Sequence, residues 1–239
     1  EDYFGQGPNL SIADGYAFSI EETSFSINYG YDFGRGLIAE FGGLLSNVNV
    51  GNGRDHDKRD INQSGEYGIE GANIAALGFS LERDSRDNPL DPRTGGFQRV
   101  KLGYYEGFSG DEYAYTKIAF DSAQYFPIGE YCNWIYWDSA LAFRLGGEFT
   151  QKVNGEIPFF DLAMLGGANS LRGFQYNRFA DENSLFWSTE YRYNIWGMKR
   201  MKLDATLFFD CGWVADEIGD FEFSKFKENY GIGFRFIAP

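Results

Sequence analysis

Arg172 is the residue whose type and setting are best suited to a specific interaction. It lies in the glycine-rich segment Gly166–Phe174 and is followed directly by Gly173. The planar guanidinium of arginine presents five donors, which suit bidentate pairing with a carboxylate. Because Gly173 lacks a side chain, the backbone beside the arginine can approach another surface closely. These residue types predict an ion pair rather than a catalytic centre.

A catalytic histidine is the first alternative. His56 is the only histidine, and it lies between Asp55 and Asp57 in the charged run 54–60. A histidine-dependent hydrolase needs a serine or an aspartate beside its histidine, and Asp55 and Asp57 could supply the aspartate. A run of charges, however, is more often the solvated tip of a loop. We therefore interpret His56 as a loop residue.

A metal or cofactor site is the second alternative. Asp84, Asp87 and Asp91 could together bind a hard cation, but Pro89 and Pro92 in the same stretch favour a plain turn. The sequence contains no P-loop, no Gly-x-Ser-x-Gly motif and no Cys or His spacing typical of a metal site. We expect no enzymatic activity, no cofactor and no metal.

Apolar and polar residues alternate with a period of two along the whole chain, which predicts β-strands. On the last predicted strands, Glu190 lies on one polar face, and Phe208, Asp210 and Gly212 share another. These polar faces hold charges of both signs and glycine, as the lumen of a membrane barrel does, and the apolar faces end in Tyr and Trp. A soluble β-sandwich, whose polar faces meet bulk water, is the alternative.

Composition and strand length favour a membrane barrel. Aromatic residues make up 19% of the 239 residues, yet no run approaches the roughly 20 apolar residues of a transmembrane helix. The net charge of −14 argues against nucleic acid as a partner. Several predicted strands reach the roughly 9–11 residues that a tilted strand needs to cross a bilayer. We predict an all-β, antiparallel, up-and-down barrel with strands at about 9–21, 24–33, 36–50, 73–83, 97–107, 113–126, 133–146, 184–196, 201–214 and 229–237.

The lengths of the connections suggest an orientation. Bacterial barrels place short turns in the periplasm and long loops outside. This places 84–96 and 127–132 on the periplasmic side and the start of the longest loop, 147–183, outside. Cys132 and Cys211 would then lie at opposite ends of the barrel, farther apart than the roughly 7 Å between Cα atoms that a disulfide permits. We expect no disulfide.

Four motifs resemble those of the BamA/TamA superfamily, the bacterial surface-antigen barrels. Leu171-Arg172-Gly173-Phe174 is similar to the signature of that family's sixth extracellular loop, and Phe-Phe-Asp-Cys-Gly at 208–212 resembles its Phe-x-Asp-x-Gly motif. The stretch 84–96 looks like the family's Asp-x-Arg-Asn/Asp-x-Pro turn closed by glycine, and Tyr-Phe-Pro-Ile at 125–128 matches the end of the strand two before the loop. The order and spacing of the motifs make the resemblance specific, and it covers nearly the whole chain.

The resemblance implies a loop that folds into the lumen. Its Arg172 would contact Asp210, with Glu190 as a second acceptor, and Phe174 would pack beside the pair and limit water. The alternative is an ordinary lumen ion pair that only stiffens the barrel. The expected site consists of Leu171, Arg172, Gly173 and Phe174 on the loop and Asp210, Glu190, Phe208 and Gly212 on the wall.

The family also sets an expectation for what this chain lacks. Complete members have sixteen strands, and several carry POTRA domains; we expect no POTRA domain within this chain. Unpaired strand edges in lipid would leave backbone groups unsatisfied. We therefore expect an incomplete barrel, with ten strands closing a smaller barrel as the alternative.

Three functions follow as expectations from the resemblance. The first is a non-enzymatic barrel of the bacterial outer membrane that inserts or translocates proteins. Its partners would be outer-membrane lipid and lipopolysaccharide, unfolded client proteins and periplasmic accessory proteins. The second is an anchor or exporter for a fused passenger such as a patatin-like phospholipase, because Tyr3–Gly7 resembles the segment that begins barrels of that branch. The third is a simple diffusion channel.

Overall fold

The chain forms one large antiparallel β-sheet, as the alternation predicts. A computed structural model describes residues 2–9, 15–53, 59–128, 139–198, 201–220 and 222–237. The strands are Asp2–Tyr3 (β1), Tyr16–Gly34 (β2), Leu37–Asn52 (β3), Arg59–Asp60 (β4), Ala72–Asp84 (β5), Gly95–Gly107 (β6), Ala114–Pro127 (β7), Ser139–Asn154 (β8), Ala163–Leu165 (β9), Phe179–Asp181 (β10), Asn183–Met198 (β11), Met201–Ala215 (β12) and Lys227–Ile237 (β13). Short 3-10 helices occupy Ile61–Gln63, Phe159–Asp161, Ile218–Asp220 and Phe223–Lys225. Over these ranges, no helix has both the length and the apolar character needed to cross a membrane.

The long strands are paired in the order in which the chain forms them. The sheet runs β2-β3-β5-β6-β7-β8-β11-β12-β13, with β1 and β4 paired to the start of β2. All pairs of long strands are antiparallel. Within the described residues β2 and β13 are the two edges and do not pair with each other, so the sheet is open. We call the end that carries segment 155–182 the loop end, and the end that carries the turn 85–94 the turn end.

The turn predicted at 22–23 does not exist. β2 is a single strand of 19 residues, and Glu21 and Glu22 pair with Asn49 and Val48 in an unbroken ladder. Both glutamates lie within the strand toward the loop end, and Glu22 accepts a hydrogen bond from Ser46 at 2.7 Å. The first two predicted strands are therefore one.

The long loop begins later than predicted. β8 continues to Asn154, so the segment between β8 and β11 is 155–182 rather than 147–183. Gly146 and Gly147, at the predicted boundary between strand and loop, lie within β8. A Cβ on Gly146 would meet the Phe186 ring at 2.6 Å, and one on Gly147 would meet the Ser184 carbonyl oxygen at 2.4 Å. The two glycines make room for the backbone of β11 at Ser184 and for the Phe186 ring.

The two faces of the sheet differ in chemistry. The outer face carries exposed apolar side chains on nearly every strand, including Phe25, Ile27, Tyr29, Phe41, Leu77, Phe79, Leu102, Leu207, Tyr230, Ile232, Phe234 and Phe236. The inner face holds the charged residues that pair across strands, such as Arg99 with Glu82 and Arg144 with Asp121. Side chains of opposite sign therefore line the inner face, and the apolar surface faces outward.

An apolar core lies on the inner face at the loop end. Phe159 of segment 155–182 has no exposed surface, and its ring lies 5.1 Å from both the Tyr3 and the Phe18 rings. Burying a side chain of this size stabilises a fold by about 2 kcal/mol. Segment 155–182 is thus packed against the sheet as well as connected to it.

Some predictions fall outside the described residues. His56, Asp55 and Asp57 lie there, as does Cys132, together with the first part of the strand predicted at 133–146. The other cysteine, Cys211, is a buried free thiol on β12.

Candidate functional site

The loop motif lies at the tip of a small hairpin within segment 155–182. β9 and β10 pair antiparallel and form the arms of this hairpin, and residues 166–178 connect them. Gly166 and Gly167 begin the connection with φ angles of 131° and 77°. Glycine adopts these angles without steric cost, whereas most other residues do not. The glycines therefore turn the motif back onto the inner face of the sheet.

The guanidinium of Arg172 forms a bidentate ion pair with Asp210 of β12. Its Nε lies 2.9 Å from Oδ2, and its Nη2 lies 2.6 Å from Oδ1. The backbone N–H of Arg172 also donates to Oδ2 at 3.2 Å. The Asp210 side chain has no exposed surface and that of Arg172 is 24% exposed. Charge-assisted hydrogen bonds are strong in such a site because little water competes for them.

Asp210 receives two further hydrogen bonds from its own sheet. The Ser188 hydroxyl of β11 donates to Oδ1 at 2.7 Å, and the Asn229 amide of β13 donates to Oδ2 at 3.0 Å. Three neighbouring strands therefore contribute to one carboxylate. The arrangement holds an arginine in a fixed orientation.

Glu190 of β11 lies beside this pair and is shared by three arginines. It accepts from Arg172 Nη1 at 2.9 Å, from Arg192 Nε at 2.8 Å and from Arg235 Nη2 at 3.3 Å. Its side chain is 11% exposed. Glu190 therefore connects the loop arginine to a second group of charges toward the turn end.

The ring that covers the guanidinium belongs to Phe208. The Arg172 Cζ atom lies 3.7 Å from the centre of that ring, a cation–π contact. Phe174 packs edge-on against Phe179, with 5.0 Å between ring centres, in a cluster that includes buried Leu171. The covering role expected of Phe174 is therefore taken by Phe208.

Two glycines of the expected site allow the close contact between loop and wall. A Cβ on Gly173 would lie 2.7 Å from the Cβ of Asn229. A Cβ on Gly212 would lie 3.0 Å from Leu165 Cδ1 and 3.2 Å from Leu171 Cδ2. Any larger residue at Gly173 would force the loop away from β13.

Sequence reasoning missed four polar partners: Ser188, Arg192, Asn229 and Arg235. Alternation places Ser188 and Arg192 on the same face as Glu190, and β13 pairs Asn229 with Asp210. The face could therefore be found from the sequence. The partners could not, because a hydrogen bond between strands depends on the register.

Asp161 anchors the same segment on the opposite side of the inner face. Its carboxylate accepts a short hydrogen bond from the Tyr115 hydroxyl, and Lys117 Nζ lies 3.2 Å from Oδ1 and 2.6 Å from the carbonyl oxygen. Tyr115 is buried and stacks on Tyr105, with 5.1 Å between ring centres. Segment 155–182 is thus held on β7 as well as on β11–β13.

The base of the segment carries several acidic groups. Glu182 pairs with Lys152 at 2.5 Å, and Asn183 donates to the carbonyl oxygen of Asp216 at 2.6 Å. Burial raises the pKa of Asp181 to about 6, and the neighbouring charges of Asp216 and Glu182 add to the effect. This carboxyl group therefore changes charge in a mildly acidic range.

The aspartates of the turn 85–94 and its flanks bind groups of the turn, and Asp91 also lies near Lys202 and Arg235. Asp84 forms a bidentate pair with Arg86, with a shortest distance of 2.6 Å. Asp87 accepts backbone hydrogen bonds from Arg93 at 2.9 Å and Thr94 at 3.1 Å. Asp91 lies 3.4 Å from the Arg93 guanidinium. Over the described ranges no group of His, Cys, Asp and Glu has the geometry of a metal site.

Comparison with known proteins gives two findings. The Omp85 superfamily domain matches residues 3–239. The structure of BamA from Haemophilus ducreyi lacking POTRA domains 1–3 is similar to this one, with a TM-score of 0.70 and 14% sequence identity. The match covers 91% of this chain and 48% of that BamA chain, so the chain spans about half the length of the structure that it resembles. The likeness extends to the barrel architecture of the sheet.

Proposed function

Because the chain belongs to the Omp85 superfamily, we propose that it is barrel sequence of a bacterial outer-membrane protein of the BamA/TamA type, which inserts or translocates other proteins. The observation that carries the proposal is the Arg172–Asp210 pair, which holds a loop inside the sheet. The role is non-enzymatic. Its partners are the lipid and lipopolysaccharide of the outer membrane, unfolded client proteins and periplasmic accessory proteins.

The two faces of the sheet support a position in the membrane. The outer face exposes a band of large apolar side chains, among them Phe25, Ile27 and Phe234. A soluble protein rarely exposes a contiguous apolar patch of this extent. The charged inner face would line the lumen, as it does in outer-membrane barrels. On this basis the loop end faces the cell exterior and the turn end faces the periplasm.

The anchored loop favours translocation or insertion over free diffusion. Segment 155–182 fills the inner face at the loop end, where Phe159 and Leu171 have no exposed surface. It is also held on two sides, by Asp161 and by Arg172. A diffusion channel needs a permanent opening. A protein that inserts or translocates client proteins needs a barrel that stays sealed when no client is bound. We propose that the Arg172 pair keeps the loop in its sealing position.

An assembly assay tests the proposed function. The complete protein is reconstituted in phospholipid vesicles, a urea-denatured small outer-membrane barrel is added, and its folded fraction is followed by the heat-dependent gel mobility of such barrels. We expect the unmodified protein to accelerate folding over empty vesicles. Arg172→Ala should lose most of this acceleration, and Arg172→Lys should also be impaired, because an ammonium group cannot form the bidentate contact.

Arg99→Ala is the matched control for this assay. Arg99 also lies on the inner face and pairs with a carboxylate, Glu82, but it makes no ion pair with segment 155–182. It should retain the acceleration. An equal loss of folding acceleration in the Arg99→Ala and Arg172→Ala variants would contradict the proposed role of the loop. No acceleration by the unmodified protein would favour the passenger alternative.

The passenger alternative rests on the resemblance of Tyr3–Gly7 to the start of barrels that carry one. In the structure this segment is docked at the loop end, with Tyr3 and Phe4 buried and Gly7 N–H donating to the Ala180 carbonyl at 2.8 Å. Sequencing the reading frame upstream distinguishes the two proposals. A Gly-x-Ser-x-Gly hydrolase domain there would favour a passenger, and POTRA repeats would favour assembly.

A further inference from the structure

The turn 85–94 does not extend away from the sheet but folds across its inner face. Asp91 and Arg93 are buried, with 5% and 7% of their surfaces exposed, whereas Leu90 beside them is 86% exposed. In a simple hairpin turn all of these side chains would be solvated. The burial of two charged residues shows that one side of the turn is covered by another part of the protein.

The covering part is the wall formed by β11, β12 and β13. Arg93 forms a short ion pair with Asp204, whose side chain has no exposed surface. Arg192 Nη1 donates to the Pro92 carbonyl oxygen at 3.1 Å, and Arg235 lies 3.7 Å from Asp91. These wall residues belong to the inner face. β7 and β8 separate β6 from this wall in the sheet, so the turn bridges the concave side.

The turn and the loop contact the same wall at different heights. Asp204 and Asp210 both lie on the inner face of β12, and six residues of strand correspond to about 20 Å. Glu190 lies between them, where it binds Arg172 from the loop and Arg192 and Arg235 from the group that holds the turn. Between loop and turn there is a cavity of about 400 Å³, lined by residues such as Ala123, Arg144 and Arg192.

We propose that the turn 85–94 is a second closure of the lumen, placed at the turn end and anchored by Arg93 on Asp204. The loop closes the other end, and the cavity is the chamber between the two. The two closures lie in series along the lumen. Opening one closure leaves the other in place, so opening either one alone does not open a path through the lumen. This inference rests on the proposed function only in that the complete protein must span a bilayer.

Conductance in planar bilayers tests the series arrangement. The complete protein is compared with Arg172→Ala, which releases the loop, with Arg93→Ala/Asp204→Asn, which releases the turn, and with the variant that combines all three changes. The Asp204→Asn change avoids leaving an uncompensated buried charge, which is strongly destabilising. We expect each single release to change the conductance little and the combination to raise it by more than the sum of the two. Such non-additivity is the sign of coupled sites.

Arg83→Ala is the matched control. Arg83 lies at the same end as the turn, but it is exposed on the outer face. It should leave the conductance unchanged in every background. If Arg172→Ala alone conducts as well as the combined variant, the turn is no barrier and the inference is wrong. A wide conductance in the unmodified protein would contradict both this inference and the proposed function.

A labelling experiment keeps the inference testable if the combined variant inserts poorly. Ala123 lines the chamber, and Ala123→Cys in a Cys132→Ser/Cys211→Ala background offers one thiol to a membrane-impermeant maleimide applied from one side of oriented vesicles. We expect Arg172→Ala to speed labelling from the loop side only, and Arg93→Ala/Asp204→Asn to speed it from the turn side only. Fast labelling from the turn side without any change at Arg93 would overturn the proposal. Failure of client folding with side-selective labelling intact would contradict the proposed function alone.

Discussion

Replacement of Arg172 by alanine should release the loop without unfolding the sheet. Asp210 would remain buried with two of its donors, Ser188 and Asn229, and without a counter-charge. Removing one partner of a buried ion pair costs about 3–5 kcal/mol. Because the Arg172 side chain is 24% exposed, we expect the lower end of this range, about 3 kcal/mol. Each 1.4 kcal/mol changes an equilibrium about tenfold, so the loop should open about a hundredfold more often.

Hydrogen exchange measures this opening directly. The Gly167 N–H donates to the Phe174 carbonyl and the Phe174 N–H donates to the Leu171 carbonyl, both at 3.1 Å, so both amides are protected only while the loop keeps its shape. Exchange of peptides from 163–181, followed by mass spectrometry in lipid nanodiscs, should accelerate about a hundredfold in Arg172→Ala. Peptides from β7 should exchange as before.

Two comparisons decide whether the ion pair is the cause. Adding Asp210→Asn to Arg172→Ala removes the unpaired charge and should restore part of the protection. Arg99→Ala, which breaks an inner-face pair without a loop partner, should leave peptides 163–181 unchanged. The reasoning is refuted if Arg172→Ala exchanges like the unmodified protein in this region, since Leu171 and Phe174 would then hold the loop without the ion pair.

Two further predictions concern the rest of the loop. Tyr115→Phe removes the hydroxyl that donates to Asp161 and should lower the stability of the segment around 159–163 by about 1 kcal/mol, seen as faster exchange there and no change at 167–174; faster exchange at both places would mean that the two anchors are not separate. Because burial raises the pKa of Asp181 to about 6, from about 3.9 in the unfolded chain, the folded loop binds this proton more tightly and its stability should fall as pH rises from about 4 to about 6. Asp181→Asn should remove that dependence and stabilise the loop above about pH 6, as measured by urea unfolding at several pH values; an unchanged pH profile would exclude Asp181 as its source.

The sequence predicts the faces of the strands better than their ends. A period of two is a local property, so it places Asp210 and Glu190 on the inner face correctly. The ends depend on contacts with distant residues. The strand list predicts a break at 22–23, but the ladder with β3 continues through Glu21 and Glu22. The strand end predicted at 146 likewise lies inside β8, where Gly146 and Gly147 make room for Phe186 and Ser184 of another strand.

The loop contact could be anticipated, and the folded turn could not. The motif around Arg172 carries a family resemblance, and the fork geometry of arginine indicates what it binds. Asp91 and Arg93, by contrast, stand among prolines and glycines in a stretch that any exposed turn could have. Only the arrangement of β5 and β6 relative to β12 shows that Arg93 reaches Asp204, a residue 111 positions further along the chain.

The two anchors of segment 155–182 differ in when their partners are synthesised. Tyr115 and Lys117, which bind Asp161, precede the segment, whereas Asp210 and Asn229 follow Arg172 and belong to β12 and β13. Asp161 needs only β7 for its contacts, whereas the Arg172 guanidinium needs Ser188 and Glu190 of β11 together with Asp210 of β12. The segment can therefore settle on β7 while the wall for its arginine is still missing. The arginine docks completely only when β12 has joined the sheet, so a closed loop reports that assembly of the barrel has reached this strand.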